Sequence, residues 1–235
     1  MRQHAEVALE WGEAGAAHLG PWAEALVVID VLSFSTCVDV ATARGMTIIP
    51  LPWRDSDAIR FAETHDAVLA ARRGEPGYTL SPASFANGRA GERVVLPSPN
   101  GARVTIVSDP IPTYVACLRN ARAVASAVAK QARRIGIVPA GERWPDERLR
   151  PCLADHLGAG AVIAGLGLSM TPEAAAADAI FRDMKTVLDA ALHQCASGQY
   201  LIERGYAIDV EVAAQLNVSD AVPMMHEATL VNTAR

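Results

Sequence analysis

The sequence predicts an α/β fold: three α/β/α layers around a largely parallel or mixed sheet, with a helical C-terminal third packed on it. Three observations predict this. Short runs rich in β-branched residues alternate with stretches of helical periodicity over roughly the first 140 residues. Those runs are continuously apolar, the pattern of strands covered on both faces. Beyond about residue 150 the character turns mainly helical.

In chain order, residues 25–32, 47–51, 67–70, 93–96, 113–118 and 135–139 read as strands. A short helical pattern closed by Gly45 follows the first of them. Residues 55–64 place Ala58, Ile59 and Ala62 on one helical face. Residues 120–132 give the clearest helix: Ala121, Val124, Ala125, Val128 and Ala132 form its apolar stripe. Asn120 suits its N-cap, and Arg119, Arg122 and Lys130 can remain wet. Residues 153–168, 172–195 and 197–204 read as helices, followed by a mixed tail. Pro/Gly-rich turns at 74–82, 97–101, 110–112 and 141–151 are too short for interdomain linkers. One domain over residues 1–235 is the economical reading, with two closely joined lobes as the other arrangement.

With 235 residues, 51% of them apolar and 20% charged, the chain can bury a substantial core. Its net charge of −5 and the lack of a Lys/Arg block argue against nucleic acid as a partner. The longest apolar run, residues 158–170, is too short and too glycine-rich to span a bilayer, so no membrane partner is expected. Cys37, Cys117, Cys152 and Cys195 form no metal-binding or disulfide spacing and read as reduced thiols. Acids near the N-terminus and the lack of an apolar leader core point to a cytoplasmic protein. The Ala- and Gly-rich helix at 153–168 suits close packing, within the chain or between copies in a homo-oligomer.

Ligands of α/β sheets collect beyond the carboxyl ends of strands, where helix N-termini point free amides into a crevice. Asp30 stands at such an end, followed by Ser33, Ser35 and Thr36. Hydroxyls there can hold phosphate oxygens or cap the helix, and Asp30 can hold a cation or cap a turn. The stretch VVLPSPNGARV repeats the arrangement. Asn100-Gly101 permits positive backbone dihedrals that bring amides close to a ligand, and Arg103 offers a planar fork for phosphate, sulfonate or carboxylate. A hairpin turn with a surface arginine is the plainer reading. CLRNARAVA gives a third strand end, with Arg119 and Asn120. Asp155-His156 opens a later helix and offers an acid/base group or an ordinary solvated pair. GAGAVIAGLG lacks the third glycine of a dinucleotide fingerprint, and its small residues suit close helix packing. There is no P-loop, nucleophile elbow or H-E-x-x-H. Met224-Met225 reads as core filling.

These ordered segments resemble the 2-phosphosulfolactate phosphatase family of coenzyme M biosynthesis, known by the ComB name. VVIDVLSFST is similar to its I-D-V-L-R-A-[ST]-[ST] strand end, and GYTLSPASF to a shortened G-F-x-x-G-N-S-P segment. PNGARV is similar to T-N-G-T-R-A, LRNARAVA to F-L-N-A-x-A-V-A, and IVPAG to V-C-A-G. LADHLGAGAVI resembles L-E-D-x-L-C-A-G-A-I, and GYAIDVEVAAQLNVSDAVPMM the closing segment. The resemblance covers residues 25–225 or so and implies a Mg2+-dependent phosphatase of sulfonate metabolism. Its substrate would be a small anionic phosphoester, 2-phospho-3-sulfolactate, cleaved to 3-sulfolactate and phosphate. It further implies Asp30 as metal ligand and catalytic acid group, with Asp155 as a second catalytic carboxylate. Ser35, Thr36, Asn100, Gly101, Arg103 and Asn120 would form the substrate site.

Three departures accompany the matches. Ser33 stands where the family pattern has Arg, Ala154-Asp155 where it has Glu-Asp, and Ala71-Arg72-Arg73 with Leu80-Ser81-Pro82 where it has G-E-R and G-N-S-P. Arg72 or Arg73 can return positive charge from another loop. A catalytically silent relative that binds an anionic metabolite or a partner protein is the other reading of the same departures.

Overall fold

All six apolar runs expected as strands enter one sheet. The computed structural model describes residues 6–53 and 56–234. Among them are β1 (Val7–Leu9), β2 (Ala25–Ile29), β3 (Thr47–Leu51), β4 (Val68–Leu69), β5 (Arg93–Pro97), β6 (Thr113–Ala116), β7 (Ile135–Pro139), β10 (Pro223–His226) and β11 (Thr229–Asn232). These nine are ordered β1-β7-β2-β6-β10-β11-β3-β5-β4. The β1-β7-β2-β6 half and the β3-β5-β4 half are each parallel. The β10-β11 hairpin runs antiparallel to both and joins them, through Met224 opposite Tyr114 and Leu230 opposite Ile48. Hence the sheet is mixed. A separate two-stranded hairpin, β8 (Glu142–Arg143) and β9 (Leu149–Arg150), rises after β7.

Alternation along the strands explains the three layers. In β2, Ala25, Val27 and Ile29 pack against α5 (Ala121–Gln131) and α6 (Leu153–Leu166). Leu26 and Val28 point the other way, toward α1 (Gly12–Leu19) and α4 (Gly101–Val107). The same division recurs in β3. Ile48 packs with α2 (Phe34–Ala43), whereas Ile49 packs with Ala62 of α3 (Ala58–Thr64). Residues 55–64 were expected as one helix; Asp55 lies outside the described residues.

The glycines of α6 are spent on close packing inside the chain. A Cβ at Gly160 would lie 2.2 Å from the Ala177 carbonyl oxygen on α7 (Pro172–Met184), and one at Gly158 would lie 2.6 Å from Val31. The expected helix at 172–195 divides into α7 and α8 (Leu188–Gln194). Thr186 and Val187 lie in the break, where two successive β-branched residues weaken helix continuation. Next come α9 (Ala196–Ile202) and α10 (Ala207–Ala213). The tail then returns to the sheet as β10-β11, so the C-terminal third is only partly a helical cover. No helix among the described residues is long and apolar enough to cross a membrane. Its four cysteines are buried and free.

Candidate active site

Asp30 follows β2 directly and is 5% exposed. Its carboxylate is held by backbone donors from two elements: Gly101 N–H at 2.8 Å on Oδ2 and Phe34 N–H at 3.4 Å on Oδ1. Gly101 is required there by space. A Cβ would stand 2.7 Å from Asp30 Oδ2 and 2.4 Å from the Phe34 ring. Neither Asn100 nor Gly101 takes a positive φ, so close approach, not the turn dihedral expected from Asn-Gly, explains this glycine.

Asp155, in the first turn of α6, is equally buried. Its two oxygens accept from Val31 N–H and Gly141 N–H, each at 2.8 Å. Residues 30 and 155, distant in sequence, thus meet at the ends of β2 and β7. Burial pushes the Asp30 pKa up to about 6, against hydrogen bonds from Gly101, Phe34 and Ser98 and the attraction of Arg73. Burial, and then the charge of Asp30, push Asp155 up to about 7. Two buried acids that resist ionising together form an unusual feature, and such features concentrate at functional sites.

A cleft of about 900 Å3 opens beside them. Asn100 and Glu142, next in sequence to the backbone donors Gly101 and Gly141, line it, while Asp30 and Asp155 themselves are buried and are not among its lining residues. Arg73 lines it as well and is held on two sides. Its Nη2 donates to Ser33 Oγ at 2.9 Å, and its Nη1 pairs with the fully buried Asp209 of α10. Ser81 donates to the other Asp209 oxygen, and Tyr206 lies under the guanidinium at 5.0 Å. Asp209 therefore fixes the direction of Arg73.

The other expected site residues are engaged within the fold. Ser35 Oγ accepts from the Asp30 backbone N–H at 2.8 Å, and Thr36 Oγ1 donates to the Val31 carbonyl at 2.7 Å. Both are fully buried, and their hydroxyls brace the strand-to-helix turn. Asn120 is likewise enclosed: Oδ1 accepts from Cys117 N–H, and Nδ2 reaches the Val115 and Ala221 carbonyls. Arg119 beside it pairs with Asp39 of α2 and reaches Gln215. Arg103 turns to Glu13 at 2.9 Å, lies over the Trp53 ring and does not line the cleft. Gly101 spends its N–H on Asp30. Of the expected substrate-binding side chains, Asn100 alone lines the cleft.

A model of the 2-phosphosulpholactate phosphatase family matches residues 16–228. The chain belongs to this family. A 2-phosphosulfolactate phosphatase from Methanothermobacter thermautotrophicus is 28% identical over 209 residues, covering 87% of this chain and 88% of that protein. A protein named probable 2-phosphosulfolactate phosphatase from Carboxydothermus hydrogenoformans is 30% identical, covering 86% and 87%. Another of that name, from Gloeobacter violaceus, is 28% identical, covering 84% and 86%. In this member of the 2-phosphosulpholactate phosphatase family, sequence reasoning missed Asp209 and Ser81 as site-shaping residues. It offered Arg73 only as one of two charges on a loop. The one signal available was the aspartate of the GYAIDVEV segment, whose match to the family pattern gave it no partner.

Proposed function

We propose that this chain hydrolyses a small anionic phosphomonoester, 2-phospho-3-sulfolactate, to 3-sulfolactate and inorganic phosphate in the cleft beside Asp30 and Asp155. The observation that carries the proposal is the pair of buried carboxylates next to a cleft that Arg73 and Asn100 line. The names of the relatives supply the substrate.

The attacking water oxygen forms a bond to phosphorus while the bond from phosphorus to the secondary alcohol oxygen breaks. Asp155 takes the proton that the water loses and returns it to the leaving alkoxide, so one water is consumed and the enzyme is regenerated. A pKa near the working pH suits a group that must both accept and give a proton. Arg73, oriented by Asp209, offers its remaining N–H groups to the phosphoryl oxygens, and the Asn100 carboxamide lies beside them.

A divalent cation fits this donor set. Mg2+ takes one or two carboxylates and leaves its other positions to water and phosphate. Asp30 and Asp155 are hard oxygen donors, and positive charge between them would relieve their mutual repulsion. No cluster of three or more His, Cys, Asp or Glu occurs among the described residues, which suits a cation held by one or two carboxylates better than an all-protein cage. Asp30 would hold the ion, with Asp155 beside it. When bound, Mg2+ supplies neutralisation of the phosphoryl oxygens.

The test is phosphate release from 2-phosphosulfolactate and a panel of small phosphoesters, with Mg2+ or with EDTA. Metal-dependent release supports the proposal. Thermal stabilisation by phosphate or 3-sulfolactate with no release from any ester would mark a silent binding protein instead.

A further inference from the structure

The cleft is larger than a three-carbon phosphoester requires. About 900 Å3 lies toward the upper end of the range that encloses a drug-sized ligand. One side of it is built from two segments that Glu142 ties together. The β8-β9 hairpin carries Arg143, Trp144 and Arg150; α9 carries Ser197 and Tyr200, with Arg204 just beyond it. Glu142 pairs with Arg150 across the hairpin and accepts from Ser197 Oγ on α9. It is the one acid among the described residues that line the cleft, and both its oxygens are engaged. Arg150 pairs with it and Arg143 pairs at 2.8 Å with Glu13, which lies outside the cleft lining, so Arg204 is left as this wall's uncompensated positive charge.

Two aromatic rings stand on the same wall with much of their surface bare, Trp144 at 51% and Tyr200 at 56% exposure. Each carries a guanidinium, Arg150 at 5.5 Å from the Trp144 centroid and Arg204 at 3.6 Å from that of Tyr200. A guanidinium on one face of a ring leaves the opposite face for a flat ligand, and its free N–H groups for an anion. Arg143 donates from Nη1 to the Glu147 carbonyl and from Nη2 to Glu13, and keeps only a buried Nε with no protein partner.

We propose that this wall is a recognition subsite for the leaving group, and that it takes phosphomonoesters whose alcohol carries a flat, unsaturated framework bearing a second anionic group. The inference rests on the phosphatase reading for its chemistry, since the bond broken is the same phosphorus–oxygen bond, but the binding stands on the wall alone.

Steady-state kinetics with 4-carboxyphenyl phosphate, phenyl phosphate and 2-phosphosulfolactate test it. The carboxylated aryl ester is expected to show a KM about tenfold below that of phenyl phosphate. Arg204→Gln and Trp144→Ala, both at exposed positions, should each lower kcat/KM for 4-carboxyphenyl phosphate relative to 2-phosphosulfolactate by about fivefold. Equal KM values for the two aryl esters, with ratios unmoved in both variants, overturn the inference. If no ester is turned over, the phosphatase reading fails by itself. Calorimetric titration with 4-sulfobenzoate then decides the subsite: saturable binding lost in Trp144→Ala supports it, and no binding by the unsubstituted chain overturns it.

Discussion

Gly101 donates its backbone N–H to Asp30 Oδ2 at 2.8 Å, and a Cβ on residue 101 would stand 2.7 Å from that same oxygen. The acid is held at the end of β2 because its neighbour has no side chain. Gly101→Ala must displace either Asp30 or Phe34, both buried. Urea unfolding should show a loss of about 1–3 kcal/mol, as overpacking of a tight site produces. Phosphate release should fall through kcat, since the carboxylate moves while the cleft keeps its lining.

Arg73 and Asp209 make a second paired prediction. Asp209 is fully buried and Arg73 is 20% exposed at the side chain, so removing the acid strands a guanidinium that two other groups cannot satisfy. Asp209→Ala should cost about 3–5 kcal/mol by chemical unfolding. Arg73→Lys, which keeps a cation beside the buried Asp209, should leave a folded enzyme with a raised KM, since the planar fork offered to the anion is lost.

Arg103 gives the opposite expectation. Its partners are Glu13 and Trp53, and the pair is partly exposed. Arg103→Ala should change stability by no more than about 1 kcal/mol and leave phosphate release near that of the unsubstituted chain. A loss of activity as large as that of Arg73→Lys would contradict the assignment of anion binding to Arg73.

Stability without metal should fall as pH rises. Asp30 and Asp155 have pKa values of about 6 and about 7 in the folded chain, above the ordinary 3.8. Groups raised in this way hold protons more tightly when folded. Their contribution is complete below the unfolded value and is lost as pH rises through 6 and 7. Thermal unfolding in EDTA should therefore give a lower midpoint at about pH 8 than at about pH 5. Asp155→Asn should flatten that difference, and Mg2+ should raise the midpoint more at the higher pH.

Much of the sheet was legible because β2, β3, β5, β6 and β7 are uninterrupted apolar runs, which only a doubly covered sheet accommodates. The β10-β11 hairpin was hidden in the tail. Its turn uses positive φ at Glu227 and Ala228, residues that carry no turn signal, and its strands are short. At the site, residue type was informative and direction was not. Asp30 and Asp155 announced themselves as acids near strand and helix ends. Ser35, Thr36 and Asn120 have the same ligand-like chemistry, yet each bonds to nearby backbone, a competition that composition cannot resolve. The Arg73–Asp209 pair spans 136 residues, so only the fold could join it.

The most direct test is phosphate release from 2-phosphosulfolactate in Mg2+ by Asp30→Asn and Asp155→Asn, with folding followed by circular dichroism. Each amide keeps the carboxylate's shape but sets its NH2 against a backbone N–H, so each variant should stay folded at a cost of about 1–3 kcal/mol and should lose activity by about 100-fold or more. A folded Asp155→Asn variant that releases phosphate at the unsubstituted rate would contradict the account.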